Sequence, residues 1–157
     1  EAQLDRFLMN IGITYPDQSA ERKILNLSNE KNNASPKNVL SSNELLDIQN
    51  FIKEIPVGES VVQYILNIIK QSRPETSEIK SVKENILWGP SPRASLALMT
   101  TCRAKAFLEN RYSPSIFDVQ SLLKPVLSHR LKLSISAKAE NVSVEEILDD
   151  VINHTKN

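Results

Sequence analysis

The stretch Gly89-Pro90-Ser91-Pro92-Arg93-Ala94-Ser95-Leu96-Ala97-Leu98 predicts a turn that leads directly into a long apolar helix. Its first two residues are turn-forming. Ser91 has the side chain of an N-cap, whose oxygen accepts an early backbone N–H. Pro92 then falls at the first helical position, where its missing N–H costs nothing. Nearly every residue from Ala94 to Cys102 is apolar or small, so we expect this half of the helix to be buried on most sides.

Arg93 is the unusual residue of this helix start. A cation in the first turn lies at the positive end of the helix dipole, which disfavours it by up to about 1 kcal/mol. A helix N-terminus with an added arginine is a suitable site for an anion. The alternatives are an arginine that pairs with a nearby carboxylate and one that simply reaches solvent.

The length and composition of the chain limit the classes of protein to which it can belong. The chain has 157 residues, which suggests one domain, or one domain with a piece of another. The 19 basic residues equal the 19 acidic ones, so a nucleic-acid partner is not expected. No apolar run approaches the roughly 18 residues of a membrane span. Cys102 is the only cysteine, which excludes an internal disulfide and fits a reducing, cytoplasmic compartment.

The sequence lacks the motifs of several common active sites. It has no phosphate loop, no dinucleotide-binding glycine pattern, no nucleophile elbow and no zinc-binding His-Glu-x-x-His. Cys102 lies in the apolar half of the predicted helix, which indicates an inert buried thiol. His129 has no second ligand at metal-binding spacing, so we interpret it as structural and predict no metal site. These residues contain no complete active site.

Helices should dominate, with one strand near the beginning of the chain. Residues 7–15 alternate with period two, and Pro16 ends the pattern. A lone strand is unstable in water, so it must pair with a sheet outside this chain or with another copy of itself. The chain starts without a methionine or an opening turn, and we interpret it as a piece of a longer protein. The expected class is all-α with this one N-terminal β-strand.

The helical periodicity predicts five further helices besides the one that starts at Pro92. They lie near residues 21–27, 43–55, 59–72, 115–126 and 143–152, and residues 28–42 are predicted to form a surface loop. Residues 75–85 read as a loop or a short helical turn, and residues 128–135 as a helix end followed by an extended segment. Trp88, the only tryptophan, is expected to pack in the core or at a hinge rather than form a ligand platform.

Several short segments form a pattern over essentially the whole chain. They are Leu4-Asp5-Arg6-Phe7, Tyr15-Pro16-Asp17, Glu21-Arg22, the run from Gly89 to Leu98, Asn110-Arg111-Tyr112, Asp118-Val119 and Val126-Leu127-Ser128-His129-Arg130-Leu131. Their order and spacing resemble the C-terminal part of MoxR-type AAA+ ATPases. The related magnesium-chelatase ATPase subunit is the alternative within the superfamily.

The resemblance implies a division of the chain and roles for three residues. Residues 1–15 would be the end of the ATPase core with its last strand, and residues 16–157 the helical lid. Arg93 matches the lid arginine that contacts the nucleotide phosphates, and Ser91 is assigned with it to nucleotide binding. Arg6 matches the arginine finger that reaches a neighbouring subunit's γ-phosphate. The alternative for Arg6 is a local pair with Asp5 or another acid.

The resemblance also implies an activity for the parent protein. It would use ATP and Mg²⁺ to remodel or mature partner proteins, among them ones with von Willebrand A domains, as a homo-oligomeric ring that binds neither nucleic acid nor membrane. The chain alone is expected neither to hydrolyse ATP nor to bind it tightly, because phosphate loop and Mg²⁺ ligands are absent. The competing function is a stand-alone helical protein–protein interaction module.

Overall fold

The computed structural model describes residues 3–27 and 37–155, which form a helical bundle with a small sheet. The α-helices are α1 Gln18–Leu27, α2 Ser42–Glu54, α3 Glu59–Gln71, α4 Lys80–Asn85, α5 Pro92–Leu108, α6 Ile116–Leu127, α7 Ile135–Ala139 and α8 Val144–His154. Short 3-10 turns cover Leu4–Arg6 and Ser128–Arg130. The predicted helical class is confirmed. Residues 28–36, most of the predicted 28–42 loop, lie outside the described residues.

The long helix α5 lies at the centre of the bundle, where it packs chiefly against α6 and α3. Small residues on its buried face, such as Ala94 and Ala97, let the neighbouring helices approach closely. The core continues into α8. Burial of α5 on most sides was too broad an expectation, because Leu96 is 68% exposed on the side away from the core.

A two-stranded sheet joins the segment before α5 to the segment after the second 3-10 turn. Strand β1, Ile86–Trp88, pairs antiparallel with β2, Lys132–Leu133. The pairing is irregular between Ile86 and Trp88, so the two side chains do not share one face as they would in a regular strand. Ile86 is buried, whereas Trp88 is 63% exposed and lies 5.4 Å from the Lys132 ammonium. The expectation that Trp88 packs in the core was therefore wrong.

The strand predicted over residues 7–15 does not form among the described residues. The segment that follows the first 3-10 turn lies in no strand pairing, and Ile13 and Tyr15 are 92% and 95% exposed. It is tied to the bundle at Asn10, whose N–H donates to the carbonyl of Pro125 (2.7 Å). The alternation is present in the sequence, but a strand needs a neighbour to complete its hydrogen bonds.

Candidate functional site

The start of α5 has the geometry that its sequence predicts. Ser91 adopts an extended conformation (φ −75°, ψ 171°), and its Oγ accepts a hydrogen bond from the N–H of Arg93 (3.2 Å). Pro92 occupies the first helical position. Because an N-cap serine and an N-terminal proline stabilise the same helix boundary, the position of Arg93 in the first turn is well defined.

The turn before α5 is fixed by close backbone contact with the end of α3. A Cβ atom at Gly89 would lie 2.8 Å from both the Arg73 Cα and the Ser72 carbonyl oxygen. Arg73 also donates from its Nε to the carbonyl of Pro90 (2.9 Å). The glycine is required by this approach, and the arginine holds the turn against α3.

Arg93 extends from the bundle into solvent. Its side chain is exposed, and within residues 3–27 and 37–155 its guanidinium has neither a carboxylate nor another hydrogen-bond partner. The alternative in which it pairs with a nearby acid is not observed in this part of the chain. An exposed cation at the positive end of a helix dipole remains available to an anion from outside the bundle.

Arg6 is likewise exposed, on the first 3-10 turn, and has no side-chain partner in the described part of the chain. The alternative of a local pair with Asp5 does not form. Asp5 Oδ2 instead accepts a hydrogen bond from Ser91 Oγ (2.7 Å), and Asp5 Oδ1 lies 3.3 Å from Arg130 Nε. The carboxylate next to Arg6 is thus turned towards the start of α5.

The guanidinium of Arg130 binds the backbone of the N-terminal segment. Its side chain is 2% exposed, and burial lowers the pKa of its guanidinium, although the Asp5 carboxylate opposes that shift. The guanidinium donates to four backbone carbonyls, those of Asp5, Phe7, Leu8 and Val126. The contacts of Asp5 with Ser91 and Arg130 could not be predicted from local sequence patterns, because they join residues more than 80 positions apart.

The structure thus brings Asp5, Ser91 and Arg130 together in one cluster, and Arg6 and Arg93 lie one residue from Asp5 and two residues from Ser91 in the chain. A cavity of about 480 Å³ lies beside this cluster, and its lining includes the basic side chains of Lys132 and Lys138. In residues 3–27 and 37–155 no three His, Cys, Asp or Glu side chains converge as a metal site. Guanidinium groups such as those of Arg6 and Arg93 have the charge and donor geometry that suit phosphate oxygens.

Cys102 lies away from this cluster in the core. It is fully buried, and burial raises the pKa of its thiol to about 12, with the nearby Asp118 carboxylate adding to the shift. A thiol in this state is not a nucleophile at neutral pH. The prediction of an inert buried cysteine is confirmed.

Among the described helices none has the length and hydropathy needed to cross a membrane.

Comparisons with known proteins show which family and which relatives this chain resembles. Residues 79–151 match the AAA lid domain family. The chaperone MoxR1 of Mycobacterium tuberculosis is 33% identical over 97% of this chain and 40% of its own length. The uncharacterised protein YeaC of Bacillus subtilis is 29% identical over 99% of this chain and 47% of its own.

A solved structure shows the same fold. A crystal structure from Cytophaga hutchinsonii, described as a candidate ATPase, superposes with a TM-score of 0.91 at 31% identity, over 99% of this chain and 48% of that one. The chain therefore spans less than half the length of each of these proteins. Together the matches confirm that the chain corresponds to the C-terminal, lid-bearing part of MoxR-type AAA+ ATPases.

Proposed function

We propose that the chain is part of an ATPase that couples ATP binding and hydrolysis to the remodelling or maturation of partner proteins. The observation that carries this proposal is the exposed, unpaired guanidinium of Arg93 at the N-terminus of α5. ATP carries a negatively charged triphosphate, and such a cation can stabilise it when the lid closes over a nucleotide bound by the core.

Arg93 and Arg6 would act on the phosphates from two different subunits. Arg93 would contact the nucleotide of its own subunit, and Ser91 would lie beside it in the same site. Arg6 would reach the γ-phosphate of the neighbouring subunit in a homo-oligomeric ring. Arginine suits both positions because its planar, permanently charged fork can hold two phosphoryl oxygens as negative charge spreads over them. Mg²⁺ would be held by residues of the parent protein outside this chain.

The proposal includes a division of the chain and a setting for the parent protein. Residues 1–15 would complete the ATPase core, and residues 16–157 would form the lid. The partners would be proteins, among them ones with von Willebrand A domains, and the work would take place in the cytoplasm. The parent sequence must contain a phosphate loop and an acidic Mg²⁺-binding strand end, and their absence would remove the proposal.

The test of Arg93 uses the full-length protein. We expect Arg93→Ala to lower ATP turnover by about 10²-fold or more, because a preorganised cation on the phosphates is lost. The free energy of unfolding should stay within about 0.5 kcal/mol, because the side chain is exposed and unpaired. The matched control is Lys83→Ala, which removes an exposed cation from α4 and should change neither quantity. Normal turnover with a large drop in melting temperature would mean that Arg93 is structural and would favour a helical interaction module.

The test of Arg6 uses mixed rings. Arg6→Ala subunits and Arg93→Ala subunits should each turn over slowly alone, because a finger arginine is worth about 10³ to 10⁵ in rate. In a mixture, an Arg6→Ala subunit keeps a complete site of its own and can receive a finger from an Arg93→Ala neighbour. Turnover of the mixture should therefore exceed that of either variant alone. A mixture no faster than its components would contradict a finger that acts between subunits.

A further inference from the structure

We propose that Asp5 is a positioning residue that couples the turn carrying Arg6 to the helix start carrying Arg93. Through it, the nucleotide state sensed by Arg93 in one subunit would set where that subunit holds Arg6 for its neighbour. This inference rests on the proposed function, but its observations are contacts of Asp5, Ser91 and Arg130 that the proposed function does not use.

The hydroxyl group of Ser91 takes part in two hydrogen bonds at once. Ser91 Oγ has a single hydrogen, which it donates to Asp5 Oδ2 (2.7 Å), while the same oxygen accepts the N–H of Arg93 (3.2 Å). The bond to the carboxylate is charge-assisted, and Asp5 is only 24% exposed, so water competes poorly for it. A shift of the first turn of α5 therefore moves the partner of Asp5 directly.

The backbone of the turn that carries Arg6 is hydrogen-bonded to the side chain of Arg130. Arg130 donates to the backbone carbonyls of Asp5 and Phe7, the two neighbours of Arg6 in the chain, and its Nε lies 3.3 Å from Asp5 Oδ1. The backbone on both sides of Arg6 is thus fixed to a buried side chain, while the Arg6 guanidinium stays exposed. This arrangement holds the base of the side chain and leaves its charged end available.

The two sets of contacts form one mechanical connection. Asp5 is one residue from Arg6, and Ser91 is two residues from Arg93, so the Asp5–Ser91 hydrogen bond links the two turns that carry the arginines. If ATP shifts the start of α5 relative to Arg130, the Asp5 carboxylate and the Arg6 turn must follow Ser91, or the Asp5–Ser91 hydrogen bond must break. Either response changes the finger offered to the next subunit.

The experiment separates this link from helix capping in the full-length protein. Ser91→Asp keeps a side-chain oxygen for the N-cap but removes the donor and places a second carboxylate against Asp5. We expect it to lower kcat by about ten- to a hundredfold, as does Asp5→Asn, because a misplacement of about 1 Å can have that effect. Ser91→Thr keeps the hydroxyl and should restore most of the turnover that Ser91→Ala loses.

Two comparisons exclude a merely structural role. Ser143→Ala removes an N-cap serine of the same kind from α8 and should lower the melting temperature without changing kcat. Asp5→Asn should slow turnover in the wild-type background but have no further effect in the Arg6→Ala background, because Asp5 acts only through Arg6.

The outcomes distinguish this inference from the proposed function. If Arg6→Ala leaves turnover unchanged, the finger itself is wrong. If Arg6→Ala slows turnover but Asp5→Asn and Ser91→Asp do not, the finger stands and the coupling is overturned. The coupling is also overturned if Asp5→Asn slows the Arg6→Ala protein further. Should Asp5→Asn fail to fold, Ser91→Asp and Ser91→Thr test the same hydrogen bond from its other end.

Discussion

At the scale of single residues, Gly89 determines where α5 can begin. Its Cα lies so close to the end of α3 that any side chain would meet backbone atoms of Ser72 and Arg73 at 2.8 Å. Backbone atoms cannot rotate away as the end of a flexible side chain can. The turn that leads to Arg93 therefore depends on the absence of one methyl group.

We predict that Gly89→Ala destabilises the protein by about 1–3 kcal/mol, the usual range for a forced overlap in a well-packed region. Urea unfolding followed by circular dichroism measures this. The control is Gly12→Ala, since a Cβ at Gly12 would meet nothing within 4 Å. Equal stability changes at the two positions would show that the α3 contact does not restrict the turn.

The same residues show what the sequence could and could not predict. Ser91 and Pro92 are adjacent in the chain, so the cap and the first helical position follow from local rules, whereas the sequence left open whether Arg93 pairs with a carboxylate. The roles of Asp5 and Arg130 depend on contacts across 86 and 125 residues. No local rule reports such contacts, and only the fold brings the three side chains together.

At the scale of elements, a buried carboxylate organises the turn between α5 and α6. Asp118 accepts two hydrogen bonds from the guanidinium of Arg111 (2.7 and 2.8 Å) and further ones from the backbone and hydroxyl of Ser115. Burial by itself would raise the pKa of Asp118, but these hydrogen bonds outweigh it and lower the pKa to about 2. The capping box of α6 and the ion pair to the preceding turn share this one side chain.

A depressed pKa in the folded state makes stability depend on pH in a defined direction. The contribution of Asp118 is fully present above the usual value of 3.8 and is lost as the pH falls towards about 2. Its size is about 2 kcal/mol, since each unit of pKa shift corresponds to about 1.4 kcal/mol. Urea unfolding at pH 6, 4, 3 and 2 should show the loss below pH 4.

Asp118→Asn provides the reference for this pH dependence. The variant should be less stable than the wild type at pH 6, and the difference should shrink as the pH falls to 2. The control is Asp149→Asn, because Asp149 is half-exposed and pairs with Lys124 in a surface ion pair. A difference between wild type and Asp118→Asn that stays constant from pH 6 to pH 2 would contradict the assignment.

The elements also show where sequence patterns stop being sufficient. The helical stripes predict α3 and α6 because each of these helices buries its apolar face within this chain, whereas α2 forms without a buried residue and has a capping box at its start. The period-two pattern of residues 7–15 gives no strand pairing within the described part of the chain, since the backbone of a strand must be satisfied by a neighbour. Trp88 is exposed, although the sequence predicted that it packs in the core or at a hinge. The irregular pairing of its strand turns it away from the face that buries Ile86.

At the scale of the whole molecule, residues 11–25 carry a series of exposed apolar side chains. Ile11, Ile13 and Tyr15 are at least 71% exposed, and Ile24 and Leu25 on α1 are 57% and 70% exposed. Several exposed apolar side chains grouped in one segment of the sequence are typical of a segment that is covered in the complete protein. The solved and curated relatives are more than twice as long as this chain, so they contain further residues that could cover such a surface.

This surface gives a prediction that compares the 157-residue chain with the full-length protein. In the isolated chain, Ile13→Thr should reduce binding of an apolar fluorescent dye and leave the free energy of unfolding within about 0.5 kcal/mol, because the side chain is 92% exposed. In the full-length protein the same change should destabilise by about 1–2 kcal/mol, because a side chain buried against the core would be lost.

Ile135→Thr is the control, since Ile135 is also exposed (87%) but lies on α7, away from this surface, and should have little effect on stability in either protein. If Ile13→Thr were as neutral in the full-length protein as in the isolated chain, the surface would stay open there. The segment 7–15 would then be available to an outside partner instead of completing a core sheet. The contrast between the two proteins, rather than either measurement alone, decides which of the two roles the segment has.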